Sequence, residues 1–133
     1  MDVIIDTNVF VQRERSRHVV DFSQWEGYGV AAISVVTASE LLVGVHRAKT
    51  ENQRTRRSAF VTAILSHFPA IDFNMEVARV HAELFAILAG QGRQIGAHDL
   101  IIAATAQTYD CAVLTLNTGE FQRIPDLIVV EPT

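Results

Sequence analysis

Apolar residues fall along this chain in two rhythms: short unbroken runs, and longer stretches in which they recur every third or fourth position. Val3-Ile4-Ile5 is the first run, bracketed by Asp2 and Asp6. It does not alternate with polar residues, which suits a strand covered on both faces, as in a parallel α/β sheet. Further strands are predicted at Val30 to Ile33, at Ala70-Ile71-Asp72-Phe73 after Pro69 breaks a helix, at Ala112 to Leu116, and at Leu127 to Val130 after a turn at Ile124-Pro125-Asp126.

The helical rhythm fills the intervals. A short helix opens at Thr7 and Asn8, carries Val9-Phe10-Val11 and ends in Gln12 to Arg17, and Val19 to Trp25 reads as a further helical turn. Ser34 is placed to cap a helix from Val35 to Lys49, with Val35, Ala38, Leu41, Leu42 and Val45 as its buried stripe. A polar, basic stretch from Lys49 to Arg57 joins an apolar helix from Ala59 to Phe68. Asn74 caps a long helix from Met75 to about Ala89, with Val77, Val80, Leu84 and Leu88 on one face and Gly90 and Gly92 ending it. Leu100 to Ala106 is so uniformly apolar that it reads as a central helix buried on most sides.

At 133 residues the chain is expected to form one domain, residues 1–133, and its 49% apolar content argues against disorder. A net charge of −4 argues against coating nucleic acid through bulk charge, while leaving room for a local basic patch. Cys111 is the single cysteine, which excludes an intrachain disulfide and a cysteine-rich zinc site, and fits a reducing cytoplasm. It borders an apolar strand with no histidine partner, so a nucleophilic role is not expected. No apolar run approaches the roughly 18–20 residues of a membrane span, and the acidic N-terminus enters a strand at once, unlike a signal peptide. His67 and His81 read as packing or surface residues, and no two histidines have zinc-ligand spacing. Gly27 to Ala32 spells the dinucleotide pattern, but it precedes a strand where that loop should follow one.

Three acids stand out against this frame. Asp6 leaves the first strand, Glu40 lies on the helix after the second, and Asp99 stands at the entrance of the apolar helix; Asn117 and Glu120 follow the fourth strand. Ligand sites in open α/β sheets lie beyond the carboxyl ends of the strands, so a parallel sheet would gather these groups on one edge. Clustered carboxylates cannot all stay ionised without a counter-cation, and hard oxygen ligands favour Mg2+ or Mn2+ over zinc or copper. Each residue also has a purely structural reading: Asp6, Asn8 or Asp99 as a helix N-cap, Glu40 as a surface partner of Arg47, Asn117 with Glu120 as a capping box, and His98 as packing. No phosphate-binding Walker loop is present.

Asp6-Thr7-Asn8 after the opening strand, Ser39-Glu40-Leu41-Leu42 with Gly44, Ile95 to Ala106, and Leu114 to Phe121 with Ile124-Pro125 resemble, in order, the motifs of PIN-domain ribonucleases. Within that family the chain is most similar to the VapC toxins of type II toxin–antitoxin systems. The likeness spans essentially the whole chain, and its most specific segment is Ile95 to Ala106. The resemblance implies an α/β/α sandwich around a parallel sheet and a cytoplasmic endoribonuclease acting on structured RNA, often tRNA. It also implies Mg2+ or Mn2+ held by Asp6, Glu40 and Asp99, with Glu120 or Asn117 as a further ligand. Thr7, Asn8, Ser34, Thr115 and Asn117 would supply polar groups near the acids, and water would attack phosphorus in line. The family further implies a homodimer silenced by a cognate antitoxin. With a negative overall charge, RNA would dock on local cations, for which Arg13, Arg15, Arg47, Lys49, Arg54 and Arg93 are the candidates. The alternatives are a non-catalytic PIN-like module that binds RNA or protein, a metal-dependent phosphohydrolase of small phosphoesters, and a receiver-type domain, which lacks its lysine here.

Overall fold

A computed structural model describes residues 2–16 and 21–132. The elements run β1 (Val3–Ile5), α1 (Thr7–Arg15), a 3-10 helix (Phe22–Tyr28), β2 (Ala31–Ser34), α2 (Val35–His46), α3 (Glu51–His67), β3 (Ala70–Ile71), α4 (Met75–Gly90), α5 (Ala97–Thr108), β4 (Ala112–Leu114), α6 (Thr118–Phe121) and β5 (Val129–Val130). The strands form one parallel sheet in the order β3-β2-β1-β4-β5, with Ile4 in register with Ala32 on one side and Val113 on the other.

The apolar run of β1 is wholly buried because it serves both faces. Ile4 packs into one cluster with Val77, Leu84 and Leu88 of α4, Ile102 and Ala103 of α5, and Phe121. Val3 and Ile5 point the other way, into a cluster with Val9 and Phe10 of α1, Trp25, Val61 and Ile64 of α3, and Phe68 just beyond it. The second cluster is aromatic at its centre, where Phe10, Trp25 and Phe68 meet with ring centroids 5.6–5.8 Å apart. Helices therefore cover both sides of the sheet, as expected, and α5 is the buried central helix.

The structure corrects several boundaries. The fourth strand ends at Leu114, not Leu116: Thr115 N still donates to Val130 O, but its side chain turns to Asp6, which leaves β1 as expected. The basic stretch from Lys49 to Arg57 is not a separate join: Thr50 caps a continuous α3, its side chain accepting from Gln53 N. In α2, Leu42 is 44% exposed, and the wholly buried position is Thr37. Gly90 lies inside α4, and Gly92, at φ 67°, makes the turn that ends it. Of the turn expected at Val19 to Trp25, positions 19 and 20 lie outside the described residues, and Phe22 to Trp25 fall in the 3-10 helix. Burial pushes the Cys111 thiol up, in keeping with an inert cysteine.

Candidate active site

Parallel strands deliver their carboxyl ends to the same edge, and β1 and β4 are neighbours at the middle of the sheet. Asp6 leaves β1 and Thr115 leaves β4 side by side. Thr115 Oγ1 donates to Asp6 Oδ2 at 2.8 Å, and it accepts from Asn117 N at 2.9 Å and from Asn8 Nδ2 at 3.4 Å. A hydroxyl has one proton and two lone pairs, so Thr115 is saturated and its proton is committed to Asp6. Asn8 Oδ1 also accepts from Leu116 N at 3.2 Å, clamping the exit of β4 to the start of α1. Asp6 occupies the N-cap position of α1 but makes no side-chain cap bond, so its carboxylate is not spent on capping.

Glu40 reaches the same place from α2. Thr7 Oγ1 donates to Glu40 Oε1 at 2.7 Å, and the Thr37 hydroxyl lies 3.0 Å from that of Thr7. His98 Nδ1 stands 3.2 Å from Glu40 Oε2. Glu40 is thus held on both oxygens, and the alternative pairing with Arg47 is not made. His98, expected to pack, is instead an exposed partner of Glu40 across two helices, which no local sequence signal could reveal.

Asp99 lies in the first turn of α5, whose N-cap is Gly96, so it is not itself the cap. Glu120 Oε1 accepts from Gly96 N, and Asn117 Nδ2 donates to Glu120 Oε2. Asn117 precedes α6 without capping it through its side chain, so the capping box is replaced by a bridge from α6 to the start of α5. A Cβ on Gly96 would lie 3.5 Å from Asp99 Oδ2 and 3.6 Å from Glu120 Oε1, so the two carboxylates flank this glycine. Ser34, expected near the acids, spends its buried hydroxyl on capping α2, accepting from Val36 N at 3.2 Å.

The electrostatics follow from the convergence. The Asp99 carboxyl is pushed up to about 7, first by burial and then by repulsion from Asp6, Glu120 and Glu40, with a hydrogen bond from Asn117 pulling it back. Asp6 is raised by burial; the hydrogen bonds from Thr115 and the Thr7 backbone oppose this, and Glu40 and Glu120 add to it. Four carboxylates therefore share one field, with the His98 imidazole beside Glu40. Among the described residues, no three His, Cys, Asp or Glu side chains stand together at metal-ligand spacing. An all-oxygen, anionic donor set with repelling members fits a hard divalent cation.

The RNA-docking candidates do not converge as a group. Arg13 donates to Gln24 at 2.7 Å, and Arg54 to the Ala48 carbonyl at 3.3 Å. Arg93 lies beyond α4, and Lys49 is exposed at the start of α3. Arg15 and Arg47 do come together, lining a cavity with Arg56, Arg57 and Glu40.

This parallel sheet with acids at its central carboxyl edge is the architecture of a metal-dependent nuclease fold, and the PIN domain family model matches residues 3–127. "Ribonuclease VapC" of Rickettsia bellii is 39% identical over 98% of this chain and 96% of its own. Solved structures agree. VapBC2 from Rickettsia felis, bound to a DNA fragment from its promoter, superposes with a TM-score of 0.87 at 28% identity over 98% of both chains. VapBC-5 from Mycobacterium tuberculosis, a member of the VapBC family of toxin–antitoxin systems, superposes with a TM-score of 0.78 at 27% identity over 98% of both. The chain belongs to the PIN-domain family, in its VapC ribonuclease branch. No helix among the described residues is long and apolar enough to cross a membrane.

Proposed function

We propose that this chain is the endoribonuclease toxin of a type II toxin–antitoxin pair, that it cuts structured RNA such as tRNA with Mg2+ or Mn2+ as cofactor, and that Asp6, Glu40 and Asp99 hold the cation. The observation that carries this reading is the position of Asp99, repelled at once by Asp6, Glu120 and Glu40 on the carboxyl edge of a PIN sheet.

When bound, the divalent cation supplies charge compensation and Lewis acidity for in-line attack of water on a phosphodiester. The side chains do the positioning. Thr115 holds Asp6 through Oδ2. Thr7 and His98 hold the two oxygens of Glu40. Asn117 donates to Glu120, and Glu120 accepts from Gly96 N, so the turn that leads to Asp99 is braced from α6. Glu120 acts here as a brace and as a fourth negative charge. Such prior fixing of the acids matters because small misplacement of reacting groups costs large factors in rate.

The working protein is a homodimer in the cytoplasm, its single domain silenced by a cognate antitoxin of the VapB kind. Mapping cleavage ends on total RNA tests the reading. Antitoxin-free protein with Mg2+ or Mn2+ should give discrete ends that are absent with EDTA and absent in Asp6→Ala. Ends that persist in Asp6→Ala would remove the acid site from the reaction.

A further inference from the structure

Beside the acids, the first three helices enclose an open cavity of about 760 Å3, lined by Arg15 of α1, Arg47 just after α2, and Arg56 and Arg57 of α3. Glu40 also lines it, so the cavity and the acid site share a wall. Its apolar floor includes Val43, Phe60 and Val61. Four of the chain's eleven Lys and Arg residues thus meet in one groove of a protein whose net charge is −4.

The four arginines are not equivalent. Arg57 is half-buried; its Nε donates to Glu14 Oε1 at 2.8 Å and its Nη1 to the Gly44 carbonyl at 2.8 Å. It joins α1, α2 and α3, and neutralises Glu14, the other acid in the lining. Arg15, Arg47 and Arg56 are exposed, and make no ion pair among the described residues. The compensated pair builds the wall, and three uncompensated guanidiniums face the opening.

We infer that this groove is the track along which RNA backbone leaves the acid site, with Arg15, Arg47 and Arg56 contacting phosphates and Arg57 positioning the helices that carry them. The inference rests on the ribonuclease reading. It rests equally on charge complementarity, because a polyanion cannot approach four carboxylates without cations beside them, and the planar guanidinium is suited to phosphate. It also departs from the sequence expectation, since Arg56 joins the track while Arg13, Lys49, Arg54 and Arg93 lie off it.

The test separates docking from cutting by measuring binding in EDTA. A fluorescein-labelled RNA of mixed sequence is titrated with wild type, Arg47→Gln/Arg56→Gln and Arg54→Gln/Arg93→Gln over a range of salt concentrations, alongside thermal melts. The groove variant should bind at least ten-fold more weakly at low salt, with a log Kd versus log salt slope shallower by about 1.4, or roughly 0.7 per lost phosphate contact on a single strand. Its melting temperature should match wild type, and the off-groove variant should bind like wild type. Equal affinity and slope in the groove and wild-type proteins would overturn the inference. So would a groove variant that binds RNA normally but no longer binds its antitoxin, which would make the groove a protein-docking surface. Failure of the nuclease reading appears separately, as Mg2+- or Mn2+-dependent ends that survive Asp6→Ala, and leaves the EDTA binding result readable.

Discussion

Thr115 Oγ1 donates to Asp6 Oδ2 at 2.8 Å, linking two residues 109 positions apart in sequence at the ends of adjacent central strands. Both are buried, and the two lone pairs of Thr115 are filled by Asn117 N and Asn8 Nδ2. Replacing Thr115 by Val keeps the shape but strands the carboxylate and the Asn117 N–H. The expected cost is about 1–3 kcal/mol of stability, with cleavage falling at least ten-fold, while Thr115→Ser keeps most of both. Thermal melts and single-turnover rates check this; a Val variant with wild-type rates would remove Thr115 from any role in placing Asp6.

Asp99→Asn should separate function from stability. Cleavage should be lost by a hundred-fold or more, because the site loses an anionic ligand. The metal-free protein should nevertheless melt at the same or a higher temperature than wild type, since burial and three neighbouring acids already disfavour the charge on Asp99. A variant that melts lower in EDTA would mean that Asp99 is structural.

The same crowding predicts a pH dependence for the metal-free protein. An aspartate whose folded value is raised from 3.8 to about 7 keeps its proton longer in the folded than in the unfolded state. Its contribution to stability is fully present below the unfolded value and is lost as pH rises through about 7. Melting temperature in EDTA should therefore fall across that window, and Mg2+ added above it should raise the melting temperature again by binding the folded state. A profile that is flat in EDTA and insensitive to Mg2+ would contradict the convergence of the four acids.

Glu120→Ala removes the acceptor for Gly96 N and the partner of Asn117. Loosening the turn before α5 should cost about 1–2 kcal/mol and lower cleavage less than Asp6→Ala does. Amide hydrogen exchange at residues 95–98 should speed up in the variant. Unchanged exchange there, with cleavage lost as fully as in Asp6→Ala, would make Glu120 a ligand in its own right and not a brace.

Much of this architecture was legible along the chain. The unbroken run Val3-Ile4-Ile5 announced a two-sided strand, and the apolar stretch from Leu100 to Ala106 announced a central helix, because burial on both faces leaves no polar alternation to hide. Asp6 was legible as the carboxylate leaving the first strand, Glu40 as one on the helix after the second, and Asp99 as the one at the entrance of the apolar helix. Boundaries were less so: Leu116 was read into β4, yet the ladder stops where Thr115 turns its hydroxyl to Asp6. The α2 stripe was misread at Leu42 because helical spacing defines a face without saying how wide the covering neighbour is.

The sequence by itself determined the class of fold, the elements that carry the acids, and the chemistry those acids suit, since all three are set by local periodicity and residue type. Which side chains touch was decided only by the tertiary structure. His98 next to Asp99 in sequence serves Glu40; Asn117 caps nothing and bridges Glu120; Arg56, one of several basic residues on α3, faces the groove while Arg54 faces elsewhere. These outcomes depend on the crossing of α1, α2, α3 and α5 over the sheet, and a side chain's partner across such a crossing lies dozens of residues away, beyond the reach of any local pattern.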